Sequence, residues 1–141
     1  MQVRDVMSED VEFISPDASV QEAAVLMGEI DVGGLPVGTR EQFLGVVTTR
    51  DLLYRVCAAG LDPSGTSVRQ VMSRGTFDCS AEDDLEAAMD MMATHHVRRL
   101  IVTDADGRMV GWITLSDIAR RLLIDSPVVR EGLDELNRTT S

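Results

Sequence analysis

The chain repeats itself. Val3-Arg4-Asp5-Val6-Met7-Ser8 returns as Val68-Arg69-Gln70-Val71-Met72-Ser73, 65 positions later. At the same shift Ser15 pairs with Ser80, Ala23 with Ala88, Met27 with Met92 and Leu35-Pro36-Val37 with Leu100-Ile101-Val102. Eleven of the 35 pairs across residues 3–37 are identical without a gap. After a one-residue change in the next turn, Gly45 meets Gly111, Thr48 meets Thr114 and Asp51 meets Asp117. A duplication of this length constrains the fold before any element is assigned. Each copy must take the same local structure, and neither is large enough to hide its apolar face alone.

Local patterns give the unit. Val11-Glu12-Phe13-Ile14 predicts a strand ending at the Ser15-Pro16-Asp17 turn. Ser19-Val20-Gln21-Glu22 has the form of a capping box, and Val20, Ala23, Ala24 and Met27 behind it recur on one helical face. The second copy offers Asp84 as its cap, with Leu85, Ala88, Met89 and Met92 on the matching face. Two strands follow in each copy, Leu35–Val37 and Leu44–Val47, then Leu100–Thr103 and Val110–Ile113, the second pair joined by the hairpin turn Asp104-Ala105-Asp106-Gly107. Helices over Thr49–Ala59, stopped by Gly60, and Leu115–Ile124 close the copies. The expected organisation is repeat 1 over residues 1–60, a linker at 61–67, repeat 2 over 68–124, and a helix and tail over 125–141. Val129, Leu133 and Leu136 would stripe that last helix, docking on their own domain or on a second subunit. The fold class is therefore α+β, α/β-like: two tandem β-α-β-β-α units packed through their sheets about a pseudo-two-fold axis, with two related clefts where small ligands tend to sit.

Composition narrows the functions. Hydrophobic residues make up 44 % of the chain but aromatics only 4 %, so the core must be aliphatic, with Met72, Met89, Met91, Met92 and Met109 as adaptable filler. A net charge of −11 argues against nucleic acid and anionic membranes as partners, yet leaves room for a small phosphorylated ligand at a local arginine pair. No apolar stretch nears a bilayer span and no secretory pattern opens the sequence, so a cytoplasmic location is expected. Cys57 and Cys79 form neither a CxxC pair nor a zinc spacing with His95 and His96; they read as two buried reduced thiols, with a disulfide or redox role as the alternative. His95 and His96 fit a helix-end surface role, or neutralisation of phosphate and pH sensing. HExxH, GxxxxGK and GxSxG are all missing, so no catalysis, metal or cofactor is expected.

At this point the residues resemble a known family. The initial Val-Met, then Ile30-Asp31-Val32-Gly33-Gly34-Leu35-Pro36-Val37 and Gly45-Val46-Val47-Thr48-Thr49-Arg50-Asp51, are similar to the cystathionine β-synthase (CBS) domain. So are His96-Val97-Arg98-Arg99-Leu100-Ile101-Val102 and Gly111-Trp112-Ile113-Thr114-Leu115-Ser116-Asp117. The resemblance covers residues 2–124 and looks like a stand-alone bacterial pair, the Bateman module.

The resemblance implies regulatory binding of AMP, ADP, ATP or S-adenosylmethionine between the copies. It maps a ribose-holding Thr-x-x-Asp step onto Thr48 and Asp51, and onto Thr114 and Asp117. The same spacing is also a helix cap, and both roles can coexist. Arg98 and Arg99 suit phosphate, or else form a solvated pair; copy one has Gly33-Gly34 there, which points to unequal clefts. By analogy Ile14, Ser15, Cys79 and Ser80 would approach the adenine and Pro36 and Val37 would flank it, although packing explains each equally well. A homodimer and an unidentified effector protein are the implied partners. The rival reading is a scaffold of the same fold that has lost its ligand.

Overall fold

The computed structural model describes residues 1–124 and 127–139, without the side chains of residues 129, 133 and 137–139. Both copies lay one amphipathic helix on a small sheet. Helix α1 (Val20–Ile30) buries Val20, Ala23 and Met27, and α4 (Leu85–His95) buries Leu85, Ala88 and Met92, whereas Ala24 and Met89, expected on the same faces, lie at the stripe edge and are exposed, so Met89 does not fill the core. The Ser19 box forms in full: Glu22 N–H donates to Ser19 Oγ at 3.1 Å, and Ser19 N–H to Glu22 Oε2 at 2.9 Å. Asp84 occupies the cap position of α4, but its side chain accepts no capping bond. Instead Leu85 N–H donates to the Met1 carbonyl at 3.1 Å. Each helix ends on a left-handed residue, Asp31 (φ 55°) and His96 (φ 54°), a matched pair under the repeat.

Strands β1 (Gly34–Gly38) and β2 (Phe43–Thr48) pair antiparallel in one sheet. The other sheet has order β3 (Asp78–Ser80), β4 (Arg99–Thr103), β5 (Met109–Thr114), with β3 parallel to β4 and β5 antiparallel to it. The strand expected over Val11–Ile14 does not form; Ile14 makes a single parallel bridge to Val37. Pro36 explains the loss. In repeat 2, Ile101 N–H donates to the Phe77 carbonyl at 2.9 Å. The matching residue in repeat 1 is proline, which has no N–H to offer Glu12, so the ladder stops one bond short. The closing helix of repeat 1 also departs from expectation. It begins as α2 (Thr49–Leu52), continues as a π-helical turn over Leu53–Cys57, and finishes in a turn at Gly60 (φ 70°). Its counterpart α5 (Leu115–Leu123) is regular. Helix α6 (Pro127–Thr139) forms; of its expected stripe, Val129 and Leu133 lie outside the described side chains and Leu136 is exposed.

Alternation along the strands builds three cores. Leu35, Val37 and Val47 face α1, while Leu100, Val102 and Ile113 face α4. The opposite faces supply Val46, Ile101, Met109 and Trp112, which join Phe13 and Phe43 in a cluster between the sheets. The entry segments then cross over. Val3, Val6 and Met7 pack into the core of repeat 2. Val68, Val71 and Met72, on and beside the short helix α3 (Val68–Val71), pack into the core of repeat 1. Ser73 exchanges backbone bonds with Val46 at 2.8 and 2.9 Å, and Ser8 exchanges them with Trp112 at 2.8 and 3.1 Å. Gly45 and Gly111 make this approach possible, since a Cβ on either would strike the carbonyl oxygen of Ser73 or Ser8.

Glycine substitutions should therefore diverge by position. Gly45→Ala or Gly111→Ala pushes a methyl into backbone and should cost about 1–3 kcal/mol. Gly28→Ala on α1, with nothing within 4 Å of its Cβ, should gain about 0.5–1 kcal/mol. Urea unfolding midpoints compare the three; equal effects would contradict the crossed packing.

Candidate functional site

Of the clefts that open among the described residues where the repeats meet, two hold the Thr-x-x-Asp threonines and the Arg98-Arg99 pair, and each draws one wall from either copy. Cleft A, about 640 Å³, combines Val46, Thr48, Thr49 and Arg50 of repeat 1 with Gly75–Phe77, His96–Arg99 and Ile101 of repeat 2. Cleft B, about 540 Å³, combines Asp31–Gly34 with Trp112, Thr114–Asp117 and Arg120. Gly33, Arg98 and Arg99 line both. Both volumes suit a small organic ligand. Matching bonds hold the mouths: Thr49 N–H donates to the Gly33 carbonyl at 3.0 Å, and Leu115 N–H to the Arg98 carbonyl at 2.9 Å.

The clefts differ in charge. Among the described residues no aspartate or glutamate lines cleft A, whereas Arg50, Arg98, Arg99 and His96 do. Arg50 lies over the Tyr54 ring, 5.3 Å from its centroid, and Phe77 stacks on His95 at 3.9 Å. Cleft B sets Asp31 and Asp117 against Arg98, Arg99 and Arg120. Among the described residues no cluster of histidine, cysteine and carboxylate side chains is placed to hold a metal ion.

The two Thr-x-x-Asp steps both form capping boxes and then diverge. Asp51 Oδ2 accepts from Thr48 N–H at 2.9 Å, and Asp51 N–H donates to Thr48 Oγ1 at 3.2 Å. The Asp51 Oδ1 accepts from Ser73 Oγ at 3.4 Å and lies 3.9 Å from Arg55 Nε. With both oxygens engaged and 8 % of the residue exposed, Asp51 turns into the protein and does not line cleft A. Asp117 makes the same box with Thr114, at 3.1 Å both ways, but is half-buried and lines cleft B.

Arg99 has an unusual seat. Its guanidinium lies 4.6 Å from the Trp112 ring centroid and packs so closely on Gly34 that a Cβ there would come 2.5 Å from Nη1. Its Nε is buried without a hydrogen-bond partner. Burial pushes its pKa down, and the Asp117 carboxylate opposes that shift; an arginine keeps its charge regardless. Arg98, by contrast, is exposed.

The residues expected around adenine lie elsewhere. Ile14, Val37 and Cys79 are buried in the helix-side cores, Pro36 is buried in β1, and Ser15 and Ser80 cap local turns by accepting from Asp17 and Glu82 N–H groups. None of the six lines either cleft. The walls missed from sequence are Gly75-Thr76-Phe77 and Trp112, and their signal was faint: a glycine before the first strand of copy two, and the lone tryptophan beside Thr114.

With the geometry in place, the chain can be set beside known proteins. The CBS domain family model matches twice, at residues 3–57 and 68–124, and the chain belongs to that family. It is 38 % identical over 117 residues to the CBS domain-containing protein YhcV of Bacillus subtilis, covering 83 % of this chain and 82 % of that one. The fold is shared with the CBS pair of protein MJ0100 in complex with 5′-methylthioadenosine and S-adenosyl-L-methionine, with a TM-score of 0.75, 20 % identity, and 86 % and 95 % of the two chains covered. It is also shared with the CBS domain of a bacterial CNNM/CorC family Mg²⁺ transporter in complex with ATP, with a TM-score of 0.76, 22 % identity, and 87 % of each chain covered. No helix of the described residues is long and apolar enough to cross a membrane.

Both cysteines are free, but only Cys79 is buried as expected; Cys57 sits in the exposed π-helical turn. Burial, helped by Asp83 and Asp78, pushes the Cys79 thiol up to about 11, whereas Cys57 is exposed. At pH 8 a thiol reagent should titrate Cys57 alone in the native protein, and both after denaturation. Because the raised value favours the neutral folded thiol, its contribution to stability is intact below pH 9.0 and fades as pH climbs to about 11. Rapid native labelling of two thiols would contradict this placement.

Proposed function

We propose that the chain is a regulatory ligand-sensing module. It binds an adenosine-containing nucleotide (AMP, ADP, ATP or S-adenosylmethionine) between its CBS repeats and relays binding as a change in their mutual orientation. Cleft A carries the reading. On a chain of net charge −11, the larger cleft gathers Arg50, Arg98, Arg99 and His96 and admits no acid among the described residues. Such a site suits a phosphate group, because planar guanidinium groups take its oxygens in pairs and several cations offset its multiple charge. The apolar Val46, Val97 and Ile101, with the ring of Phe77, give a purine a dry wall. In cleft B, Asp117 and Thr114 suit the hydroxyls of a ribose.

Binding alone does no chemistry here, and the module acts through a partner protein. The relay is limited by the ligand's differential affinity for the two arrangements, about 1–3 kcal/mol. A second copy of the chain is the expected neighbour. Exposed Val25, Leu53, Tyr54, Leu122 and Leu123 on the helical layers support homodimerisation, which sedimentation should read as twice the chain mass.

Thermal melts with millimolar AMP, ATP and S-adenosylmethionine test the reading, since a ligand at a hundredfold its Kd adds about 2.7 kcal/mol to the native state. Arg98→Ala should weaken ATP roughly tenfold or more, and Asp117→Ala should weaken a ribose ligand of cleft B by a similar factor, from charge-assisted bonds worth about 1.5–3 kcal/mol. No melting shift with any of the three ligands would favour the ligand-free scaffold.

A further inference from the structure

Gly34 and Arg99 are the same position in the two copies, and they touch. Equivalent residues of a pseudo-two-fold pair can meet only at the axis, which is also where the clefts share their walls. Arg99 therefore stands between two sites. Its guanidinium rests in cleft B, flat against Gly34, over Trp112 and in the field of Asp117. The residue also lines cleft A, where every other charged wall residue among those described is cationic. The seat is imperfect, because Nε is buried with no acceptor. An anion in cleft A offers that guanidinium the oxygen acceptors its present seat lacks.

We propose that Arg99 is a specificity-determining residue shared by both clefts: seated on Trp112 and Gly34 it occupies cleft B, and a phosphate group in cleft A draws it across, strengthening anion binding there and clearing cleft B for a second ligand. This rests on the reading of cleft A as a phosphate site. The coupling favours phosphorylated ligands over bare adenosine in cleft A, and it is reciprocal: cleft B stays closed to a nucleoside while Arg99 is seated there, and takes one more tightly once phosphate holds Arg99 in cleft A.

The molecule supplies its own reporter. Trp112 is the single tryptophan, it carries the guanidinium on its ring, and it does not line cleft A. A ligand confined to cleft A reaches the indole only through Arg99. The full chain is titrated with ATP and with adenosine while tryptophan emission is followed, and calorimetry of the same samples records binding. ATP should shift the emission and adenosine should not. Gly34→Ala evicts the guanidinium without removing its charge, and the clashing atoms are the far end of a flexible side chain. The variant should show the shifted emission before ligand is added and should bind ATP about three- to tenfold more tightly, since the competent arrangement no longer has to be selected. Arg99→Gln should abolish the ATP-induced shift and weaken ATP, which keeps the test decisive should Gly34→Ala fail to fold. Heat of ATP binding with unchanged Trp112 emission overturns the latch and leaves the proposed function standing, as does an equal shift with adenosine. No heat with ATP overturns both.

Discussion

The crossing of the entry segments is what makes one body of two small ones. Val20 N–H, at the start of α1, donates to the Thr66 carbonyl at 2.9 Å, and Leu85 N–H, at the start of α4, donates to Met1. Each helix thus has an orphan donor satisfied by the segment that opens the other copy. Ser8 and Ser73 then clamp the last strand of the opposite repeat, and Val3 and Val68, both fully buried, fill the opposite core. Neither repeat has a complete apolar interior without its neighbour's first turn. The clefts inherit their geometry from this arrangement, since the strands that carry Thr48 and Thr114 are held from the far side by Ser73 and Ser8.

The same crossing explains why two identical motifs end in different environments. Asp51 and Asp117 each close a capping box, which is a local matter decided within four residues. The direction of the second carboxylate oxygen is not local. In repeat 1 Ser73 and Arg55 engage it, and Arg55 is itself anchored on the Val71 and Met72 carbonyls at 2.8 and 3.3 Å. In repeat 2 the corresponding carboxylate lies beside the Arg99 guanidinium. The π-helical turn that places Leu53–Cys57 belongs to repeat 1 alone, and Arg55 sits inside it.

How much of this was legible depends on the range over which it is decided. The Ser19 box, the Asp104–Gly107 turn and three of the four positions on each helix face read correctly, because each is set by residues within one or two turns of chain; Ala24 and Met89 turned out exposed, at the edge of their stripes. In that hairpin Asp104 Oδ1 accepts from the N–H groups of Asp106 and Arg108. The repeat register carried the duplicated fold. It misled at Val11–Ile14, where a strand-like run lost its ladder to a proline on the neighbouring strand, 22 residues past Ile14. The adenine-flanking residues were placed by strand ends, yet the cleft walls come from segments that only the crossed packing brings together, such as Thr48–Arg50 with Gly75–Phe77. No spacing in the sequence encodes that adjacency.

Gly33-Gly34 opposite Arg98-Arg99 points, in the sequence, to unequal clefts. Packing gives the inequality an origin. At a pseudo-two-fold axis, equivalent side chains compete for one space, and an arginine in both copies would put two guanidinium groups face to face in a buried seam, at a cost in desolvation and like-charge repulsion that the single Asp117 carboxylate beside Arg99 would have to offset for both. Glycine in both copies would leave Trp112 uncovered and a void on the axis. One arginine and one glycine is the solution that fills the space with a single charge, and it removes the symmetry between the clefts as it does so. Inequality of the two sites is then a steric consequence of duplication, and a chain that inherits two equivalent pockets must differentiate them wherever their walls meet.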